Sequence, residues 1–383
     1  MTKPAHKLKV CHFASVHTTT DTRVFHRECT SLAKFFDVTY IGIGTKSGVL
    51  NGVNVIAVPK PANRIYRLLF TTWKVFFLAL KQRADIYHIH DAELIPFAFL
   101  FAVSGKKVIY DIHENTYEDI MRKPWILNAF RWILGFMFKI LEWISAQTMS
   151  TILVIAKPEF VNRFITRKHV IIQNFAEFDQ FNAYRVTDRQ PIAENNLFYI
   201  GTVYDYYYDL IPVIKALHLL KQQGKTIQFH CVGYKGKYID TILSKLAEYH
   251  EVKDQLHFYG YLSTDEGYEI SKKCKVGLCL KNQPEEILLS HERKFFEYMA
   301  TGLPILSCNY HIYKDIIDRY TLGKYVAIDN EQEIARALNE LFFHSTRLNE
   351  YASNGVKAAE TVYNWAHEEA KLITLYKELG KVE

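Results

Sequence analysis

Short apolar runs alternate along the chain with longer segments in which apolar residues recur every three or four positions. The runs predict buried strands and the longer segments predict amphipathic helices. In the first half the runs lie at 8–14, 38–41, 53–58, 86–89, 108–110, 151–155 and 169–172. In the second half they lie at 197–200, 227–232, 256–259, 276–280 and 304–308. Strands that alternate with helices indicate an α/β protein built on parallel, doubly wound sheets.

The composition turns polar between residues 175 and 195, which predicts a linker. A chain of 383 residues is also longer than one hydrophobic core usually serves. We therefore predict a first domain at 1–178 and a second at 190–363, with a cleft beside the linker.

Three loops of the first domain carry polar side chains just beyond predicted strands. Ligands of doubly wound sheets bind at these carboxyl ends, so the convergence of several such loops predicts a site. The candidates are Asp21 and Arg23 after the first strand, His90, Asp91 and Glu93 after the strand at 86–89, and His113 and Glu114 after the strand at 108–110.

In the second domain, a polar loop leads into a helix that Gly302 ends. Lys294 and Glu297 are three residues apart and share a face near the start of this helix. A helix N-terminus with a lysine attracts a diphosphate, and a carboxylate one turn further on can accept hydrogen bonds from ribose hydroxyls. The pair predicts a nucleotide site. The alternative is a surface ion pair on an ordinary amphipathic helix.

Residues 294–304, with the sequence KFFEYMATGLP, resemble the K-x-F-E-Y-M-A-x-G-x-P signature of retaining glycosyltransferase family 4, also called glycosyl transferases group 1. Segments 15–25 and 108–114 resemble a subgroup that makes cell-surface polysaccharides such as O-antigen. The resemblance implies the GT-B fold, in which two doubly wound Rossmann-like domains face each other across a cleft. It also implies that a C-terminal helix, 364–383, packs back on the first domain.

The resemblance assigns Glu297 to the donor ribose, Lys294 to the diphosphate and His113 to the donor-sugar pocket. Further expected roles are donor binding by Gly201, Thr202, Ser290, His291 and Arg293, catalysis by His113, Asp21 and Glu114, and contact with the acceptor or loop organisation by Arg23, Asp91 and Glu93. Two positions depart from the family: Leu289 replaces a common second Glu, and Thr202 follows Gly201 where Arg and Lys usually face the diphosphate. Lys294, the helix start and Arg293, Lys235 or Lys237 then have to balance that charge.

The expected reaction moves a sugar from a UDP- or GDP-linked donor to a glycan or lipid-linked acceptor, with no metal or other cofactor. Three rivals stay open. His90, Asp91, Glu93, His113 and Glu114 have the chemistry of a divalent metal site. A sugar-nucleotide epimerase or a non-catalytic assembly protein would also fit the fold. Nucleic acid is not expected as a partner, because the sequence has no RNP motif or basic run and a pI of only about 8.7.

Residues 124–149 are apolar nearly all round, but Arg131, Lys139 and Glu142 make a membrane span improbable. Together with the aromatic and basic segment 64–74, they predict a peripheral surface at the lipid headgroups. The alternative is a central helix buried against the sheet. Six cysteines without a C-x-x-C pair and a polar N-terminus predict a cytoplasmic protein, here expected at the inner face of the plasma membrane.

Overall fold

The computed structural model describes residues 7–113, 115–122, 126–154, 169–203, 210–233, 238–281 and 291–381. The chain forms two compact units. The first contains residues 1–174 and 366–383, and the second contains residues 175–365.

The first unit is built on an eight-stranded sheet in the order β3-β4-β2-β1-β5-β6-β7-β8. Its strands are β1 Lys9–Thr18, β2 Asp37–Ile43, β3 Gly48–Leu50, β4 Val53–Val58, β5 Ile86–Ile89, β6 Lys107–Ile112, β7 Thr151–Val154 and β8 His169–Ile171. Only β3 is antiparallel to its neighbour among these described strands. The sequence did not predict β3, whose three residues are exposed.

The helices of this unit pack against the sheet, and the C-terminal helix is one of them. The helical segments are Thr22–Cys29, Thr30–Ala33, Arg64–Tyr66, Arg67–Thr71, Thr72–Gln82, Ala92–Leu94, Ile95–Val103, Thr116–Arg122, Asn128–Thr148 and Trp365–Gly380. Tyr376 of the last helix is completely buried beside β1 and β5, where its hydroxyl lies 2.7 Å from Nδ1 of His88 and 3.0 Å from Nε2 of His12. The sequence also predicts a helix from residue 158, which lies outside the described residues.

β1 is longer than predicted, since the loop expected from Ser15 continues the strand to Thr18. Asp91 explains the extension. Its Oδ2 accepts hydrogen bonds from the backbone N–H groups of Ser15, at 2.6 Å, and Val16, at 2.9 Å. A carboxylate that binds two N–H groups replaces the ladder partner that the strand would otherwise need.

The second unit is built on a six-stranded parallel sheet in the order β11-β10-β9-β12-β13-β14. Its strands are β9 Asn196–Ile200, β10 Gln228–Val232, β11 Leu256–Gly260, β12 Val276–Cys279, β13 Ile305–Cys308 and β14 Gly323–Val326. Its longer helices are Ile211–Gln222, Ala247–Val252, Thr264–Ser271, Arg293–Ala300, His311–Tyr320, Glu331–Asn339 and Leu348–Thr361. The helix at 311 and β14 were not predicted, because charged residues interrupt their apolar patterns. The apolar pattern of residues 238–249 predicts one helix, but the structure has short helical segments there.

Arg189 ties the predicted linker to the second unit. The side chain is completely buried and donates to the carbonyl oxygens of Ser271, Cys274, Thr301 and Gly302 at 2.6 to 2.9 Å. Burial lowers its pKa to about 10. The segment is thus an ordered part of this unit and not a loose tether, which a polar composition alone cannot reveal.

Candidate active site

The signature helix Arg293–Ala300 places its lysine at the carboxyl end of β9. Lys294 is only 7% exposed. Its Nζ lies 3.4 Å from the hydroxyl of Tyr199 and 4.5 Å from the centre of that ring, an arrangement in which the aromatic face attracts the ammonium. Glu292 is 3.9 Å away. The lysine is therefore held in one place by groups that partly balance its charge.

Two glycines make room for this lysine. Gly201 follows β9 with a φ of +143°, and a Cβ there would lie 3.0 Å from Nζ of Lys294. Gly233 follows β10, and a Cβ there would lie 2.0 Å from the carbonyl oxygen of Gly201. No side chain fits at Gly233, so the ends of two strands and the ammonium are packed against one another.

Glu297 is only 3% exposed, and both of its oxygens are engaged. Oε2 accepts a hydrogen bond of 2.5 Å from the hydroxyl of Tyr268, and Oε1 lies 2.5 Å from Nε of Arg293. Burial, and then the charge of Glu297, raise the pKa of Tyr268 well above its ordinary value, so the phenol stays a donor. A ribose hydroxyl that reaches Oε1 has to share that oxygen with Arg293 or displace it.

Two further predicted donor residues, His291 and Thr202, have partners in the described part of this unit. Nε2 of His291 lies 2.7 Å from the carbonyl oxygen of Ile312, and the carbonyl of Thr202 accepts from Tyr199 at 3.0 Å. Ser290, Leu289, Lys235 and Lys237 lie outside the described residues. The sequence did not identify Tyr199 and Tyr268 as residues of this site, because both lie within apolar elements and their pattern indicates only burial in the core.

In the first unit, the segments after β1, β5 and β6 bring three of the predicted residues, Arg23, His90 and His113, around Asp111. This carboxylate is fully buried, and its Oδ2 lies 3.0 Å from Nε2 of His113 and 3.3 Å from Nδ1 of His90. Its other oxygen lies 3.6 Å from the guanidinium of Arg23, whose Nε is 3.0 Å from Glu28. Burial favours protonation of Asp111, but the charges of His113 and Arg23 outweigh burial and hold its pKa well below its ordinary value.

His17 and Asp91 form a second charged pair at this edge of the sheet, 2.8 Å apart. Burial alone would lower the pKa of His17, but the hydrogen bond and charge of Asp91 prevail and raise it to about 9. Burial would likewise raise the pKa of Asp91, but His17 and the two backbone N–H groups lower it to about 2. His17, which was not singled out from the sequence, is therefore a cation at neutral pH, with its ring 4.6 Å from that of His113.

The other predicted residues of the first unit have structural partners. Oδ1 of Asp21 caps the helix Thr22–Cys29 by accepting from the N–H groups of Arg23 and Val24. Arg23 is 5% exposed, which favours organisation of this loop over contact with an acceptor. Glu93 accepts from Ser15 at 2.6 Å and pairs with Arg67 at 2.8 Å. Glu114 lies outside the described residues.

The set of metal ligands suggested by the sequence is not brought together, because Asp91 pairs with His17 and Glu93 pairs with Arg67. Among the described residues, the ligand atoms that do approach one another are those of His90, Asp111 and His113, and those of His12, Glu28, His88 and His90. Imidazole and carboxylate suit a divalent cation. The guanidinium of Arg23, however, already supplies a positive charge to Asp111.

The comparison of the sequence with known families decides the class of the protein. Residues 188–358 match the profile of the family described as "Glycosyl transferases group 1". The second unit is a glycosyl transferases group 1 domain. The chain is therefore a glycosyltransferase, as the signature at 294–304 predicted. No curated protein sequence is similar enough to count as a relative.

Solved structures of glycosyltransferases share the fold over nearly the whole chain. Sucrose-phosphate synthase from Thermosynechococcus elongatus has a TM-score of 0.74 and 14% identity over 97% of this chain and 99% of its own. HepE from Anabaena, in complex with UDP-glucose, has a TM-score of 0.70 and 12% identity over 97% and 100%. WaaG, a glycosyltransferase involved in lipopolysaccharide biosynthesis, has a TM-score of 0.70 and 14% identity over 95% and 98%. The predicted GT-B fold class is confirmed.

Proposed function

We propose that this glycosyltransferase moves a sugar from a nucleotide-sugar donor to a glycan or lipid-linked acceptor, with retention at the anomeric carbon, during assembly of a cell-surface polysaccharide. The hard step in such a transfer is departure of the nucleotide diphosphate. The protein therefore has to stabilise negative charge and hold the acceptor hydroxyl in place.

The observation that carries the proposal is the position of Lys294 against Gly201. Ligands of a parallel sheet bind at the carboxyl ends of its strands, and here an ammonium is fixed at such an end by Tyr199 and the start of a helix. A charge that is already in position stabilises the leaving group without reorganisation during the reaction. Residues 202–214, which follow Gly201, contain no Arg or Lys. Lys294 therefore carries most of the task of balancing the charge of the diphosphate.

The donor that we propose to test first is a UDP-sugar, since the fold neighbour HepE binds UDP-glucose. Glu297 is the proposed ribose ligand, and its contact with Arg293 has a role in this scheme. A guanidinium that ribose displaces from Oε1 is released next to the diphosphate, where a second cation is useful.

The proposal is tested with a thermal-shift panel of UDP-, GDP- and ADP-sugars, followed by NMR of the product formed from the best donor. A ligand that binds only the folded state raises the melting temperature. We expect one nucleotide class to do so, and the product to keep the anomeric configuration of the donor. Stabilisation by a nucleotide sugar without turnover in the presence of glycan and lipid-linked acceptors would favour a non-catalytic assembly protein. Turnover without any acceptor would favour an epimerase.

We further propose that the first unit rests on an anionic lipid surface on the cytoplasmic side of the plasma membrane. The helix Asn128–Thr148 and the segment Arg64–Gln82 leave many large apolar side chains exposed: Ile65, Leu68, Leu69, Phe70, Trp73, Phe77, Phe130, Trp132, Ile133, Phe136, Met137, Ile140 and Trp143. This exposure is at odds with the alternative of a buried central helix. Large exposed apolar patches mark interaction surfaces, and Arg64, Lys74 and Lys139, exposed among them, suit anionic headgroups.

None of the helices in the described part of the chain is long and apolar enough to cross a bilayer. Flotation with vesicles that contain phosphatidylglycerol tests peripheral binding. We expect the double variant Trp132→Ser, Trp143→Ser to float less than the parent, and Tyr261→Ser, an exposed aromatic of the second unit, to float as the parent does. Equal flotation of all three proteins would rule out this surface.

A further inference from the structure

We propose that His90, Asp111 and His113 form a binding site for one divalent transition-metal ion, of which Zn²⁺ is the type. The site lies within the first unit, and the proposed sugar transfer does not depend on it. Its ligand set differs from the one that the sequence suggested, because Asp111 takes the place of Asp91 and Glu93.

Three potential ligand atoms form a nearly regular triangle. Nδ1 of His90 lies 3.2 Å from Nε2 of His113, and Oδ2 of Asp111 lies 3.3 Å and 3.0 Å from these two nitrogens. Zn²⁺ binds imidazole nitrogen and carboxylate oxygen at about 2.0 to 2.2 Å, so neighbouring ligands of a tetrahedral site are about 3.3 to 3.5 Å apart. A cation just outside the plane of the triangle can therefore contact all three atoms with little movement of the side chains.

The carboxylate provides a second, independent indication of a cation. Asp111 is completely buried, and among the described residues neither of its oxygens has a hydrogen-bond partner. A buried carboxylate is normally paired, hydrogen-bonded or bound to a metal. The guanidinium of Arg23 lies 3.6 Å from Oδ1, which supplies a charge without a hydrogen bond and leaves Oδ2 for the ion.

Buried groups behind the triangle can fix the tautomer of His90 that a metal requires. A metal-binding imidazole usually donates its other N–H to a neighbouring acceptor. Nε2 of His90 lies 2.9 Å from Nδ1 of His12, so His90 can donate to that ring. His12 then donates from Nε2 to the hydroxyl of Tyr376 at 3.0 Å, and this hydroxyl donates to Nδ1 of His88 at 2.7 Å. The remaining proton of His88 is on Nε2, 3.9 Å from Oδ2 of Asp111. Every proton of the chain thus has one consistent position when Nδ1 of His90 binds a metal.

Two imidazole nitrogens and one carboxylate oxygen select the class of ion. Mg²⁺ and Ca²⁺ prefer sites made of oxygen ligands, whereas imidazole suits Zn²⁺ and other transition metals. The side chain of His113 is 13% exposed, while those of His90 and Asp111 are inaccessible, so the ion enters beside His113. Because His90 and His113 directly follow β5 and β6, the ion joins the loops at the ends of two neighbouring strands.

Calorimetric titration of Zn²⁺ into the full chain, after treatment with EDTA and dialysis, tests the site. We expect one Zn²⁺ per chain to bind and to raise the melting temperature, because an ion that binds only the folded state stabilises it. Mg²⁺ at the same concentration should do neither. Asp111→Asn and His113→Gln should each weaken Zn²⁺ binding at least about tenfold. His26→Gln, which removes an exposed histidine of the same unit, should leave the Kd unchanged.

The absorption spectrum of the parent with Co²⁺ in place of Zn²⁺ identifies the ligand type. A tetrahedral site of nitrogen and oxygen ligands gives visible d–d bands without the near-ultraviolet thiolate bands that binding to any of the six cysteines would add. If Asp111→Asn does not fold, His113→Gln and this spectrum still decide the question. Absence of stoichiometric Zn²⁺ binding, thiolate bands in the Co²⁺ spectrum, or a Kd that neither ligand variant changes would overturn the proposal.

Discussion

His17→Gln removes the cation of the His17–Asp91 pair and keeps a side chain that can donate to Asp91. The pKa of His17 rises from an ordinary 6.5 to about 9. Each pKa unit corresponds to about 1.4 kcal/mol, so the pair contributes at most about 3 kcal/mol to the free energy of unfolding. The ring is 22% exposed, and solvent screening reduces this figure to about 2 kcal/mol.

The sign of the pH dependence follows from the direction of the shift. Because the pKa of His17 is raised in the folded state, the pair stabilises the folded protein fully below pH 6.5, and this stabilisation is lost as the pH rises through 9. The pKa of Asp91, lowered to about 2, adds stability above pH 4 that is lost as the pH falls through 2. The cost of His17→Gln should therefore be greatest between pH 4 and 6.5 and almost absent at pH 9.5.

Urea unfolding of the parent and of His17→Gln at pH 5.5 and pH 9.5 measures this difference. His26→Gln, at an exposed position of the same unit, controls for the loss of a histidine and should cost little at either pH. If His17→Gln costs the same at both pH values, the pair is not charged as described.

Four further outcomes follow from the packing of the second unit. Arg189→Met removes the guanidinium donor of four buried carbonyl oxygens, of which those of Ser271 and Thr301 keep a backbone N–H partner, and should lower the free energy of unfolding by about 3 kcal/mol; a change in urea midpoint equivalent to less than 1 kcal/mol would contradict this. Gly233→Ala drives a methyl group into the carbonyl of Gly201 and should abolish donor binding in calorimetry, whereas Gly224→Ala, with open space around it, should leave binding intact; equal binding by both would refute the packing argument. Tyr268→Phe removes the inner donor to Glu297 and should weaken UDP binding about tenfold; unchanged affinity would show that this hydroxyl does not orient the carboxylate. Arg293→Gln should raise KM for the donor through loss of a cation near the diphosphate; a lower KM would show that Arg293 merely competes with ribose.

The sequence predicted elements and local motifs well, because both depend on neighbouring residues. Lys294 and Glu297 are one turn apart, so spacing alone predicts that they share a helix face. The register of β1 with β5 could not be predicted from the sequence, and this register puts His12 beside His88. The sequence indicated that His88 is a core residue, which is correct for its burial. It gave no sign of the hydrogen bond between His88 and Tyr376, 288 residues away.

Long-range polar partners account for most of what sequence reasoning missed. Tyr268 reaches Glu297 from another helix, and Tyr199 reaches Lys294 from β9. Both tyrosines stand among apolar residues, where the pattern indicates burial but not what the hydroxyl binds. Arg189 lies in a polar segment that resembles a linker, and only the fold brings four carbonyl oxygens to it.

In the proposed function, the ammonium of Lys294 holds the leaving diphosphate at the end of β9. Isothermal titration of UDP into the parent, Lys294→Met and Lys324→Met measures this role directly. Lys324 is the control, because it lies on β14 of the same unit and is paired with Glu340. We predict that Lys294→Met raises the Kd about 10- to 100-fold, the equivalent of one charged hydrogen bond, and that Lys324→Met leaves it unchanged. Equal Kd values for the parent and Lys294→Met would contradict this role of Lys294.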